Sequence, residues 1–154
     1  MSAFFFDISS IVKRYVQETG TAWVQQTVDP AARHLIYVAR ISAVEVTSAV
    51  VRRQQGGSLL PAQAAAILSQ FRHDLLAEYR IVEVTVGLLR RAITLAETYA
   101  LRAYDAVQLA GALELHTQRT ANSLPALTLV SSDQELNAAA SAEGFLVEDP
   151  NLHP

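Results

Sequence analysis

The sequence predicts an α/β fold, a three-layer α/β/α sandwich built on a five-stranded parallel sheet. Three observations carry that expectation: five short apolar runs read as strands, segments of helical periodicity lie between them, and no Asn-Gly or Asp-Gly pair offers a tight hairpin. Strands joined through helices run parallel and need cover on both faces, so they read as near-continuous apolar runs.

Residues 3–6 are wholly apolar and stop at Asp7-Ile8-Ser9-Ser10, as a buried strand does when it delivers its end to a helix start. The helix that follows carries Ile11, Val12 and Tyr15. A second short helix over 21–28, with Trp23 and Val24, stops at Asp29-Pro30, because proline lacks an N–H and restricts the residue before it. Residues 35–39 form the second strand. Ser42-Ala43-Val44-Glu45 has capping-box spacing and opens a helix to about residue 55, closed by Gly56-Gly57. Residues 61–79 make a long helix with proline in its first turn and Ala64, Ile67, Leu68, Phe71 and Leu75 on one face. A third strand over 81–84 is followed by a helix over 87–99 with Leu88, Ala92, Leu95 and Ala96 inward. Asp105 opens the next helix, which turns Val107, Leu109, Ala110 and Leu113 inward and fades in a polar loop at 120–123. Residues 127–130 are the fourth strand, Ser132-Asp133-Gln134-Glu135 starts a last helix with capping-box spacing, Gly144 closes it, and 145–147 form an edge strand.

A chain of 154 residues is expected to form one domain, residues 1–154, with no linker or low-complexity tract dividing it. No apolar run approaches the roughly 18 residues a membrane helix needs, and no basic leader opens the chain, so a soluble cytoplasmic protein with no membrane contact is expected. The absence of cysteine excludes disulfides, thiolate metal sites and cysteine nucleophiles. A net charge of -3 argues against a surface coated by nucleic acid, although net charge does not describe the field at one site. Every basic residue but Lys13 is arginine, whose rigid fork suits phosphate oxygens; biased composition is the plainer explanation. The histidines, His34, His73, His116 and His153, fall in no ligand spacing and are expected outside any metal site.

Four carboxylates stand out. Asp7, Glu45, Asp105 and Asp133 each lie where an apolar strand gives way to a helix or on a helix's first turn. Each alone is explained as a helix cap worth about 1 kcal/mol. Together they point toward one edge of a parallel sheet, where ligands bind beyond the carboxyl ends of the strands. Two like charges 4 Å apart repel by about 4 kcal/mol at an effective dielectric of 20. A cation offsets that cost, and an all-oxygen donor set favours Mg²⁺ or Mn²⁺ over zinc.

Phe5-Phe6-Asp7-Ile8-Ser9-Ser10-Ile11-Val12-Lys13-Arg14-Tyr15 resembles the opening segment of PIN domains. Ile41-Ser42-Ala43-Val44-Glu45, Leu101-Arg102-Ala103-Tyr104-Asp105-Ala106 and Val130-Ser131-Ser132-Asp133-Gln134-Glu135-Leu136 resemble their second, third and fourth acidic motifs, in order and across essentially the whole chain. So compact a chain is most similar to the VapC toxins of type II toxin–antitoxin pairs. That resemblance implies a Mg²⁺-dependent endoribonuclease, dimeric, held inactive by a cognate antitoxin whose C-terminal segment lies across the active-site groove. It makes Asp7, Glu45, Asp105 and Asp133 the acidic ligands and places Ser9 beside Asp7 and a metal-bound water. Departures are small: Ile8 stands where threonine is common, and Ser132 precedes the last aspartate.

The expected reaction is phosphodiester hydrolysis with one or two Mg²⁺ (or Mn²⁺) ions, leaving 5′-phosphate and 3′-hydroxyl ends by resemblance. Lys13, Arg14, Arg40, Arg52 and Arg53 flank the first two motifs and are candidates for RNA phosphates. Solvated helix faces are their bland alternative. Tyr15, Trp23, Val24 and Tyr37 are candidates for an antitoxin groove, against the ordinary reading of core residues. A haloacid-dehalogenase-type phosphatase would want a second aspartate where Ser9 stands. A phosphorelay receiver would want a lysine at the end of its last strand, and Lys13 is elsewhere. Two other readings stay open: a non-catalytic or partner-dependent RNA-binding module, and a nuclease of RNA processing rather than a toxin.

Overall fold

A computed structural model describes residues 1–154. Five strands, β1 (Ala3–Phe6), β2 (Leu35–Ala39), β3 (Arg80–Val82), β4 (Leu127–Val130) and β5 (Leu146–Glu148), form one sheet in the order β3-β2-β1-β4-β5. All four pairings are parallel. The chain winds outward from β1 through β2 to β3, then returns to the other side of β1 for β4 and β5. The order therefore reverses between β1 and β4, and such a switch point leaves a crevice beyond the carboxyl ends of those strands.

Alternation along the strands divides the apolar residues between two cores. Ala3 and Phe5 of β1, Ala39 of β2, and Leu127 and Leu129 of β4 face one side. There they meet α5 (Val86–Tyr99), α6 (Ala103–Ala121) and α7 (Gln134–Ala142) through Leu88, Leu95, Leu109, Leu113 and Leu136. Phe6, Ile36, Val38 and Val130 face the other side. Their partners come from α1 (Ile8–Ile11), α2 (Thr21–Val28), α3 (Ser42–Gln55) and α4 (Pro61–Ala77), including Ile11, Val24, Val46, Val50 and Phe71. These are the three layers the strand pattern requires. Gly111 of α6 packs against the Phe5 ring, where a methyl would make ordinary contact at 3.4 Å. Gly20 is held at φ 85° where a Cβ would fall 2.3 Å from the Pro150 carbonyl oxygen, so only glycine fits there.

Several boundaries differ from the sequence expectation, each for a local reason. The first helix runs for only four residues before tightening into a 3₁₀ turn at Val12–Arg14. Ser42 does not cap α3: the preceding Ile41 holds the cap position, and the Ser42 hydroxyl is buried where it accepts from Gln108 Nε2 at 3.0 Å. Asp105 lies inside the first turn of α6, which starts at Ala103 with Arg102 at its cap. Ser132 does not cap α7; Asp133 does, accepting from Leu136 N at 2.9 Å. The last strand begins one residue late because Phe145 N–H turns back to Ala140 O, closing α7 after Gly144 at φ 85°. No helix is long and apolar enough to cross a membrane.

Candidate metal centre

Asp7 is the residue after β1, and its N–H donates to Val130 O at 3.1 Å, carrying the β1–β4 ladder one step past the strands. This places its side chain in the crevice between those strands, 1% exposed. One carboxylate oxygen, Oδ1, is saturated, with Ser9 Oγ at 2.7 Å, Ser10 Oγ at 3.0 Å and Ser10 N at 3.2 Å. The other, Oδ2, is buried and has no partner. A cap needs only the first oxygen. A lone buried carboxylate oxygen carries a desolvation cost that nothing in the protein offsets.

Ser9 and Ser131 tie the two central strand ends together. Ser9 Oγ accepts from Ser132 N at 2.8 Å, and Ser131 Oγ accepts from Asp133 N at 3.1 Å. Asn137 Nδ2 donates to Ser131 O at 2.9 Å and fixes the same turn. Asp133 is thereby held at the mouth of the crevice, one oxygen capping α7. Glu45 comes from the first turn of α3, and its Oε1 accepts from Gln108 Nε2 at 2.7 Å. Gln108 is fully buried on α6, one turn beyond Asp105, so one amide links the helices carrying two of the carboxylates.

Electrostatics bind the four into one neighbourhood. Burial pushes the Asp7 carboxyl up to about 6, with the Ser9 and Ser10 hydrogen bonds only partly opposing it. Burial likewise raises Glu45 to about 7; Gln108 opposes that rise, while the charges of Asp7 and Asp105 add to it. Asp105 is raised by burial and then by Asp133, with Arg102 opposing and Glu135 adding. Repulsion therefore runs from Asp7 through Glu45 and Asp105 to Asp133, with one exposed arginine against it. An all-oxygen donor set with an unpartnered buried oxygen and surplus negative charge fits a hard divalent cation. A tighter cluster exists elsewhere, where ligand atoms of His73, Asp74 and Glu78 all lie within 4.8 Å of one another. There Arg14 Nη1 already sits 3.4 Å from Asp74 Oδ2 and 2.7 Å from Glu78 Oε2, so the cation is supplied by the protein.

The basic residues singled out from the sequence separate cleanly. Lys13 is 4% exposed and committed to Glu18 at 3.3 Å and Asn151 at 3.0 Å. Arg14 is committed to Asp74 and Glu78, Arg40 to Glu83, and Arg53 to Glu18. Arg52 alone of the five has no carboxylate partner, and it lines a groove of about 430 Å³ with Ile8, Ile41, Val44, Glu45, Ser48, Ala49 and Tyr104. The apolar candidates for a partner groove are packed elsewhere. Tyr15 hydrogen-bonds Asp74 at 2.6 Å, Trp23 stacks on His153, Val24 is fully buried, and Tyr37 packs against the core beneath α6. Sequence reading passed over Gln108, Arg102 and Tyr104. Gln108 had a signal, being the one polar side chain in the buried run from Ala106 to Leu113.

The sequence model described as PIN domain matches residues 5–141. The chain is 30% identical over all 154 residues, and over the full length of the relative, to ribonuclease VapC45 of Mycobacterium tuberculosis (strain CDC 1551 / Oshkosh). Among solved structures it superposes on PAE2754 from Pyrobaculum aerophilum with a TM-score of 0.64 at 17% identity, covering 99% of this chain and 93% of the other. A toxin–antitoxin complex from Klebsiella pneumoniae matches with a TM-score of 0.58 at 17% identity, covering 97% and 98%. The last two likenesses concern the fold.

Proposed function

The chain belongs to the PIN domain family, and from that premise we propose that it is a divalent-metal-dependent endoribonuclease, the toxin half of a type II toxin–antitoxin pair. In this reading residues 1–154 make one PIN domain working in the cytoplasm. The observation that carries it is Asp7: fully enclosed, with one oxygen locked by serines and the other left without a partner beside Glu45. Asp7, Glu45, Asp105 and Asp133 are the proposed ligands of one or two Mg²⁺ or Mn²⁺ ions. A bound ion would supply a Lewis acid that activates water and neutralises charge on the phosphate under attack.

The chain's own residues supply position. Ser9 and Ser10 hold Oδ1 of the Asp7 carboxylate and leave Oδ2 as the oxygen without a hydrogen bond. Gln108 holds Oε1 of Glu45. Asp133 is oriented by Ser131 and by the α7 cap. Arg102, whose charge acts on Asp105, and Arg52, which lines the groove with Glu45, are exposed and make no salt bridge, and are suited to phosphates flanking the scissile one.

The relative named VapC45 is a ribonuclease, and the Klebsiella structure is a toxin–antitoxin complex; both support the reading, including a cognate antitoxin as partner. A homodimer would cover the apolar patch on α5, where Val86, Leu89 and Ile93 are 68%, 43% and 60% exposed. Purified protein incubated with structured RNA is expected to cut it with Mg²⁺ and not with EDTA. Asp7→Asn and Asp105→Asn are expected to lose about 100-fold or more, since ligand loss removes several kcal/mol of transition-state stabilisation. Cleavage insensitive to metal or to both substitutions would contradict the mechanism. Normal RNA binding without cleavage of any RNA would favour a binding module.

A further inference from the structure

The groove beside Glu45 is built from chain neighbours of the proposed ligands. Ile8 follows Asp7, Val44 precedes Glu45, and Tyr104 precedes Asp105, and all three line it. One side of each segment thus faces the acidic crevice and the next residue faces an apolar slot. Val44 is 68% and Tyr104 59% exposed, and the Tyr104 hydroxyl makes no hydrogen bond within the protein. Arg52 also lines the groove, with its guanidinium uncommitted to any carboxylate. A nucleotide has the matching shape: a flat, largely apolar base attached to an anionic phosphate. The apolar pocket between α5 and α6, about 340 Å³ and lined only by hydrophobic residues, has neither cation nor aromatic ring and does not match.

We propose that this groove is a subsite for one unpaired nucleobase next to the cleaved phosphodiester, stacked on Tyr104, with Arg52 holding the phosphate beyond it. The proposal rests on the ribonuclease reading above and adds the requirement that the RNA be single-stranded and unstacked at that nucleotide. An RNA rather than a protein segment is favoured because the rim carries a free guanidinium and the groove runs into the site that handles phosphate. Aromatic stacking accepts any base, so the subsite selects for an accessible base rather than for its identity.

The test uses labelled single-stranded oligoribonucleotides and an Asp7→Asn background that prevents cleavage, with affinity read by fluorescence anisotropy. Tyr104→Ala is expected to weaken binding about 5- to 150-fold, equivalent to about 1–3 kcal/mol of stacking. Tyr104→Phe and Tyr104→Trp are expected to bind as the background does, which also shows that the site tolerates substitution. Replacing one nucleotide at a time by an abasic residue should reveal one position where loss of the base weakens the Tyr104 protein but not the Tyr104→Ala protein. Equal affinity for Tyr104→Ala and background, or an equal abasic penalty in both, overturns the subsite. Loss of antitoxin binding by Tyr104→Ala with RNA affinity intact assigns the groove to the protein partner and overturns it as well. Wild-type cleavage measured in parallel keeps the two readings apart. Metal-dependent cutting with an indifferent Tyr104 removes only the subsite, whereas no cutting removes the nuclease.

Discussion

Two buried aspartates in this protein meet opposite fates. Asp74, on α4, is fully enclosed and fully served: Tyr15 Oη donates at 2.6 Å, Gln70 Nε2 at 2.7 Å, and Arg14 stands 3.4 Å away. Asp7, equally enclosed, has serines on one oxygen and nothing on the other, and its charged neighbours are carboxylates. Proximity of acidic groups does not separate the two, since the His73, Asp74 and Glu78 set is the tighter. What separates them is whether the fold supplies a cation. A carboxylate cluster with its own arginine is architecture; one without is a place for an ion to come.

The contrast can be broken at its structural end first. Arg14→Met leaves Asp74 buried without its cation and should cost about 3–5 kcal/mol, read as a fall in the denaturant midpoint. Cleavage per folded molecule should not change, because Arg14 is spent on Asp74 and Glu78. A selective loss of cleavage would return Arg14 to the RNA-binding set.

The opposite sign is expected at Asp7. Its carboxyl rises from 3.8 to about 6 on folding, so the folded state holds the proton more tightly than the unfolded chain. The stabilising effect of that proton is complete below the unfolded value and is lost as pH rises through the folded one, by about 3 kcal/mol at pH 7. Without metal, wild type should therefore gain stability as pH falls from 7 toward 5. Asp7→Asn should be the more stable protein at pH 7 in EDTA and should lose the part of that pH dependence due to Asp7, keeping the part that comes from Glu45, which burial raises to about 7. A less stable Asp7→Asn protein would show that the fold already satisfies this carboxylate.

Metal should erase that difference. At a hundredfold excess over its dissociation constant, Mn²⁺ should stabilise wild type by about 2.7 kcal/mol and Asp7→Asn by much less, while His73→Ala responds as wild type. The smallest effect belongs to Gln108→Leu, which keeps the buried volume but releases Glu45. Orienting partners of this kind change metal affinity by about 10- to 100-fold, so cleavage should fall about tenfold at limiting Mn²⁺ and recover at high Mn²⁺. A loss that excess metal does not restore would assign Gln108 a role in packing alone.

Much of the fold was legible because apolar runs and helix periodicity are local. Residues 3–6, 35–39 and 127–130 needed no tertiary information to read as strands. Legibility failed where a side chain had two possible partners. Ser42 and Glu45 have capping-box spacing, yet both turn inward to Gln108, 66 and 63 residues away in the chain, because that amide is buried and must be met. Lys13 and Arg14 carry the charge of phosphate ligands but are taken up by Glu18, Asn151, Asp74 and Glu78, pairings that spacing cannot reveal. The carboxylates' places at strand ends and helix starts were readable; which oxygens would lack partners depended on how the serines pack, and was not.

The most direct test of the central claim is anomalous diffraction from crystals soaked in Mn²⁺. The account predicts density among Asp7, Glu45, Asp105 and Asp133, in contact with Asp7 Oδ2, and none at His73, Asp74 and Glu78. Density at the second cluster, or at neither under saturating Mn²⁺, would contradict it.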